Sequence, residues 1–192
     1  MYPEGVAGQL TADMIDIDEA GFKLESGDRK FAKVAREFRA IIRGNYRKGA
    51  PGSNLIMAIG GGNNPYSFHR QYTEGGTDLE RFYEYITELI QDLNTRFPNR
   101  SFTFTMDNLN IHRNRMILDL IRNAGHRIVF RAPYWSCDGA IEYVFNTIHT
   151  HLEMDDGPVM ENVDDLVNRI NLIIGSIASF RRYFLHVGFQ DN

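Results

Sequence analysis

Cysteine is almost absent. Cys137 is the single one among 192 residues, which excludes a disulfide scaffold and a thiolate zinc site. Long apolar runs are missing as well: none approaches the roughly 18 residues that cross a bilayer. The opening Met1-Tyr2-Pro3-Glu4-Gly5 has neither a basic n-region nor an apolar h-region, so no secretory signal is expected. The expectation is an intracellular chain with no membrane partner. Nor is there an overall basic excess. The 21 Lys and Arg against 25 Asp and Glu give a net charge of -4, unlike a generic nucleic-acid coat. Repeats and low-complexity stretches are also lacking. What remains is ordinary globular composition, 43% hydrophobic, 12% aromatic and 24% charged, in a length that suits one domain with a proper core.

Residues 1–13 read as a loose lead-in. Met14 to Asp18 alternates, with Ile15 and Ile17 on one side and Asp16 and Asp18 on the other, which is the period of a strand. Asn54 to Ile59 and Tyr66 to Arg70 flank a Gly/Asn cluster and predict a hairpin. Gly60-Gly61-Gly62 is its turn and not a phosphate cradle, because no Lys-Ser/Thr follows and no helix begins there; no nucleotide cofactor is expected. Leu79, Phe82, Tyr83, Ile86, Leu89, Ile90, Leu93 and Phe97 recur at three and four, an amphipathic helix. Ser101–Met106 predicts a strand, Asn114–Ala124 a helix with Gly125 past its end, Arg127–Arg131 a strand, and Ile141–His151 and Val163–Phe180 helices. Leading antiparallel strands followed by alternating strands and helices fit an α/β domain with a mixed sheet.

In such open sheets the site lies outside the carboxyl ends of the strands. Asp18 is read as the end of the first strand, Asp107 follows the strand 101–106, and Glu142 lies in the first turn of the helix after Arg131. Three carboxylates from different elements are hard oxygen donors of the kind that hold Mg2+ or Mn2+ while leaving room for water and phosphate. Two such ions serve phosphodiester chemistry. On these residues alone the signal is weak, since strand-end acids are more often caps or solvated loop groups, and Asp16 is an alternative to Asp18.

The surrounding residues narrow the reading. Ile15-Asp16-Ile17-Asp18-Glu19-Ala20-Gly21-Phe22 resembles the first catalytic motif of the mariner-type DDE transposases. Met106-Asp107-Asn108-Leu109-Asn110-Ile111-His112 resembles the second, and the stretch from Ala132 through Pro133, Tyr134, Trp135, Ser136, Cys137, Asp138, Gly139 and Ala140 to Ile141-Glu142 resembles the third. Between Asp107 and Glu142 lie 34 residues, the spacing of one large branch of that superfamily. Many relatives have Pro where Cys137 stands and Asn-Pro where Gly139-Ala140 stand.

The resemblance covers Met14 to about Phe184. It implies a ribonuclease-H-like mixed sheet flanked by helices over 14–192. Asp18, Asp107 and Glu142 would be the catalytic residues and hold two Mg2+ or Mn2+ ions. The implied reaction is cleavage of a DNA strand by water, then attack of the freed 3′-hydroxyl on target DNA. The implied partners are transposon-end and target DNA and a second copy of the chain, and the implied location is the nucleus in a eukaryote. Relatives carry helix-turn-helix modules before this domain, whereas 13 residues precede the first strand here; the expectation is a catalytic domain without that module.

Asn108 and His112 are candidates for support of the site, with loop-stabilising and structural roles as the alternatives. Glu19 reads as a neighbour, Asp138 as a helix cap, Cys137 as incidental, and Tyr134 and Trp135 as flanking DNA or packing. From Lys23 to Gly49 nine basic residues stand against three acidic ones. That block is a candidate phosphate-backbone footprint, with Arg29, Lys30, Arg43, Arg47 and Lys48 as contacts, or else a solvated loop. Two other functions compete: a catalytically inactive transposon-derived domain that binds DNA or protein, and another ribonuclease-H-like nuclease. The 34-residue spacing and the Asp-Asn-x-x-x-His run favour the transposase.

Overall fold

A computed structural model describes residues 10–24, 51–131, 139–154 and 159–191. The basic positions Arg29, Lys30, Arg43, Arg47 and Lys48 and the third-motif residues 132–138 lie outside them.

Five strands form one sheet: β1 (Met14–Lys23), β2 (Gly52–Gly60), β3 (Tyr66–Tyr72), β4 (Thr103–Met106) and β5 (Arg127–Phe130), in the order β3-β2-β1-β4-β5. The first three pair antiparallel, and β4 and β5 run parallel to β1. The helices are α1 (Leu79–Arg96), α2 (Arg115–Asn123), α3 (Ala140–Met154), α4 (Val163–Ser176) and α5 (Arg181–His186). The mixed sheet flanked by helices is the architecture expected from the alternation of elements.

The two-residue period of β1 and β2 divides the core between the sheet's faces. Ile15, Ile17, Ile56 and Ala58 pack under α1 and α2 together with Phe104 and Met106. Met14, Phe22, Leu55, Met57 and Ile59 pack under α3, α4 and α5. Asp16 and Asp18 share the side of Met14 and Phe22, so both carboxylates point toward the α3 layer. Polar caps set where helices begin. Asp78 accepts from Arg81 N at the start of α1, and Asn114 accepts from Met116 N at the start of α2. Asn162 and Asp165 exchange a reciprocal pair at the start of α4. Gly125, at φ +84, ends α2 in the left-handed region where a Cβ is costly.

Three expectations change. The strand read as ending at Asp18 runs on to Lys23, because its antiparallel pairing with β2 continues to Lys23↔Gly52. The single helix expected over Val163–Phe180 stops at Ser176, and a further helix, α5, follows. Ile177 turns to extended backbone at ψ 106, and Phe180, Tyr183 and Phe184 fold back into the α3–α4 core. The lead-in is anchored from Leu10: Leu10 bridges Gln190, Thr11 N donates to Gln190 O, and Arg100 pairs with Asp13 at 2.8 Å.

Candidate active site

The register places the acids. β1 pairs with β4 through Asp16↔Thr105 and no further. Two residues on, Asp18 and Asp107 stand past the carboxyl end of β4 on neighbouring backbones, where the β1 side of the sheet opens. Asp18 is 8% exposed although it lies mid-strand. Asp107 begins the loop into α2, its side chain 37% exposed.

Asp16 has a different task. Thr105 Oγ1 donates to its Oδ1 at 2.6 Å, and Ile141 N donates to its Oδ2 at 3.0 Å. Both oxygens are committed, one of them to an otherwise unpaired N–H in the first turn of α3. Asp16 thereby fixes the start of the helix that carries Glu142. Asp138, read from sequence as that cap, lies outside the described residues.

His112 is fully buried. It stacks on Phe82, ring centroids 4.5 Å apart, and bridges two carboxylates: Nδ1 donates to Asp107 Oδ1 at 2.5 Å and Nε2 donates to Glu19 Oε1 at 3.2 Å. Both partners only accept when ionised, so both ring nitrogens carry hydrogen and the ring is an imidazolium. Burial alone lowers its pKa, but the bonds to Asp107 and Glu19 outweigh that and raise it to about 9. Burial raises Asp107 likewise, yet the His112 bond and charge bring it below the usual carboxylate range. Asn108 Nδ2 donates to Arg131 O at 2.6 Å and ties the Asp107 loop to the end of β5. Asn108 thus makes the bond of the loop-stabilising alternative, and His112 is a buried structural link between Asp107 and Glu19.

Arg131 was not read from sequence as part of the site. It is 5% exposed, and its Nη2 donates to Ile17 O at 2.9 Å and to Asp18 Oδ2 at 2.8 Å. Asp18 Oδ1 accepts from Glu19 N at 2.8 Å. Burial still dominates at Asp18 and, against Arg131, pushes its pKa up to about 7. Burial also raises Glu142, which feels Arg131, Asp16 and Asp107. Arg131 itself titrates above its ordinary range, because Asp16 and Asp18 outweigh burial. Glu19, read from sequence only as a neighbour, also belongs to this network: its Oε2 is buried and, among the described residues, without a hydrogen-bond partner. The sequence carried a signal for each, a cation closing the last strand before the third motif and an acid beside Asp18.

Asp107, at the end of β4, is thus an electrostatic neighbour both of Asp18 on β1 and of Glu142 on α3. Among the described residues, no three His, Cys, Asp or Glu side chains are gathered tightly enough to grip one ion. The donor chemistry fits a hard divalent cation all the same. Five acids (Asp16, Asp18, Glu19, Asp107 and Glu142) meet two cations (Arg131 and His112), and burial makes that surplus of negative charge costly.

No protein-family model and no curated protein sequence matches the chain. Solved structures do match. The Mos1 mariner paired-end complex with Mn superposes with a TM-score of 0.78 at 14% identity, over 93% of this chain and 53% of that one. The Mos1 transposase catalytic domain with Raltegravir and Mn superposes with a TM-score of 0.69 at 11% identity, over 94% of this chain and 78% of that one. The Mos1 strand transfer complex does so at 0.73 and 14% identity, over 92% of this chain and 52% of that one. The chain spans about half the length of the full transposase chains it matches, and has the ribonuclease-H-like fold of their catalytic domain. No described helix is long and apolar enough to cross a membrane.

Proposed function

We propose that this chain is the catalytic domain of a mariner-type DDE transposase, a metal-dependent enzyme that cleaves DNA strands and joins them to a target. The observation that supports the reading is the backbone placement of these acids: Asp18 and Asp107 lie on neighbouring chains just past the last β1–β4 pair, and Glu142 lies in the first turn of α3. The 34-residue spacing and the match to the Mos1 catalytic domain support it. Asp18, Asp107 and Glu142 would hold Mg2+ or Mn2+, with two ions in the full site. Such ions supply activation of the attacking oxygen and neutralisation of charge on the phosphate.

The chain's own residues arrange the rest. His112, held by Glu19, orients the Asp107 carboxylate. Asn108 pins the loop between them to β5. Asp16 holds the first turn of α3, the turn that carries Glu142. The substrate is DNA, which places the protein with the genome inside the cell, in the nucleus of a eukaryote. The paired-end complexes among the neighbours support two copies of the chain working on two ends.

Cation choice tests the reading. Supercoiled plasmid incubated with the chain is expected to be nicked in Mg2+ or Mn2+ and left intact in Ca2+, whose looser coordination positions the attacking oxygen poorly. Equal nicking without any divalent cation overturns it.

The block from Lys23 to Gly49 is proposed as the DNA-backbone contact. Replacing Arg43, Arg47 and Lys48 together with Ala should weaken binding about equally on unrelated duplexes. It should also flatten the dependence of log affinity on log salt by roughly 0.9 for each lost phosphate contact. A salt titration with an unchanged slope assigns the DNA path elsewhere.

A further inference from the structure

The guanidinium of Arg131 is placed with care for a group that no part of the proposed chemistry uses. Its backbone is locked at both ends: Arg131 N donates to Met106 O at 2.8 Å, and Asn108 closes on its carbonyl. Gly139 leaves the room for it, since a Cβ there would overlap Nη1. That guanidinium grips Asp18 through one nitrogen only. Nη2 is shared between Asp18 Oδ2 and Ile17 O, Asp16 Oδ1 stands 3.8 Å away, and Nε is buried without a partner among the described residues. A buried arginine that serves as a permanent strut is ordinarily satisfied, with its fork closed on a carboxylate. Among the described residues this one is tightly confined yet incompletely bonded, and its strong side-chain partner there is the acid from the first motif.

We propose that Arg131 is the resident counter-cation of Asp18, which holds the carboxylate while the site is free of metal and yields it to a divalent cation, so that Arg131 sets the metal affinity of the site. This rests on the reading of Asp18 as a metal ligand. The physical logic is competition. One carboxylate oxygen cannot face both a guanidinium and a metal ion, and the apparent dissociation constant rises as the fraction of Asp18 free to bind falls. If the pair is closed nine-tenths of the time, affinity is weakened by about tenfold. The pair also gives the site a metal-free state that is not simply self-repelling, which five crowded acids would otherwise be.

Arg131→Gln removes the charge but keeps an amide that can donate to Asp18, so no bare carboxylate is buried. Mn2+ binding to the full chain, measured by calorimetry and by electron paramagnetic resonance at pH 8, should tighten about tenfold in Arg131→Gln relative to wild type. Independently of any variant's folding, wild type labelled with 15N-arginine should show one buried Nε–H resonance that moves on Mg2+ titration and saturates with it. Arg131→Lys, which lacks that resonance, identifies it. Equal or weaker Mn2+ affinity in Arg131→Gln, or an unmoved resonance while Mg2+ binds, overturns the proposal. In that case binding lost in Asp107→Asn shows that the metal-site reading itself survives. Absence of Mn2+ binding in both wild type and Arg131→Gln overturns the two together.

Discussion

Asp107→Asn protein is expected to fold, to bind DNA, and to nick it in Mg2+ or Mn2+ roughly a thousandfold more slowly than wild type, a loss of about 4 kcal/mol from transition-state stabilisation. The substitution is chosen for what it keeps. Asp107 accepts from His112 Nδ1 and from Leu109 N through the same oxygen, Oδ1, and an asparagine presents an oxygen in the same place. Shape and hydrogen bonding survive; the negative charge does not. A carboxylate whose task was only to hold its loop would be replaced at modest cost in stability and none in cleavage. One that holds a metal ion loses the ion, because a neutral amide is a far weaker ligand for a hard cation. The measurement is single-turnover nicking of plasmid with a thermal melt of the same preparation. A folded Asp107→Asn protein that cleaves within tenfold of wild type, with contaminating nuclease excluded, sinks the assignment.

The position of that residue was legible before the structure. Asp107 follows a strand whose alternating Phe102, Phe104 and Met106 mark one buried face, and it opens a motif with a histidine five residues on. The helix 79–96 was equally plain, because eight apolar side chains at three and four leave no other period. What stayed hidden has a common physical cause: periodicity reports which face a residue takes but not where pairing or a helix stops. Asp18 looked like a strand end because Glu19-Ala20-Gly21 breaks the apolar alternation. The antiparallel partner β2 continues nonetheless, and it is β4 that stops, so Asp18 lies mid-strand with its flank open. Ile177 and Phe180 stand at helical spacing from Ile173 and Ile174 and enter the same core, which conceals the break after Ser176. Arg131 and Glu19 are polar residues whose burial comes from elements far apart in sequence. Only the assembled sheet shows that the guanidinium of Arg131, just past β5, ends on the backbone and acid of β1, and that Glu19, on the opposite face from Asp18, meets the histidine of the second motif.

The buried imidazolium gives the metal-free protein a pH dependence of unusual direction. His112 is raised from 6.5 to about 9 in the folded chain. Between those values the native protein keeps a proton that the unfolded chain has released, so stability falls as pH rises. The contribution is fully present below pH 6.5 and is gone above about pH 9, and at about 1.4 kcal/mol per unit it amounts to about 3 kcal/mol. Asp18 acts with the same sign at lower pH. Its pKa is raised from 3.8 to about 7, so the folded state again binds the extra proton and stability declines through that window. Asp107, held below its ordinary range, works oppositely, and its share is lost only on acidification. The interval above pH 7 therefore isolates His112. Denaturant unfolding of wild type in chelator should lose about 3 kcal/mol between pH 6.5 and pH 9. His112→Gln keeps a donor and an acceptor but cannot become a cation. It should be less stable than wild type at pH 6, because Asp107 and the buried Glu19 lose their shared positive partner, and nearly flat above pH 7. A wild-type profile that is level from pH 7 to 9, or a His112→Gln profile that retains the decline, would show that the ring between Asp107 and Glu19 is neutral and that its two bonds do not carry the charge assigned to them.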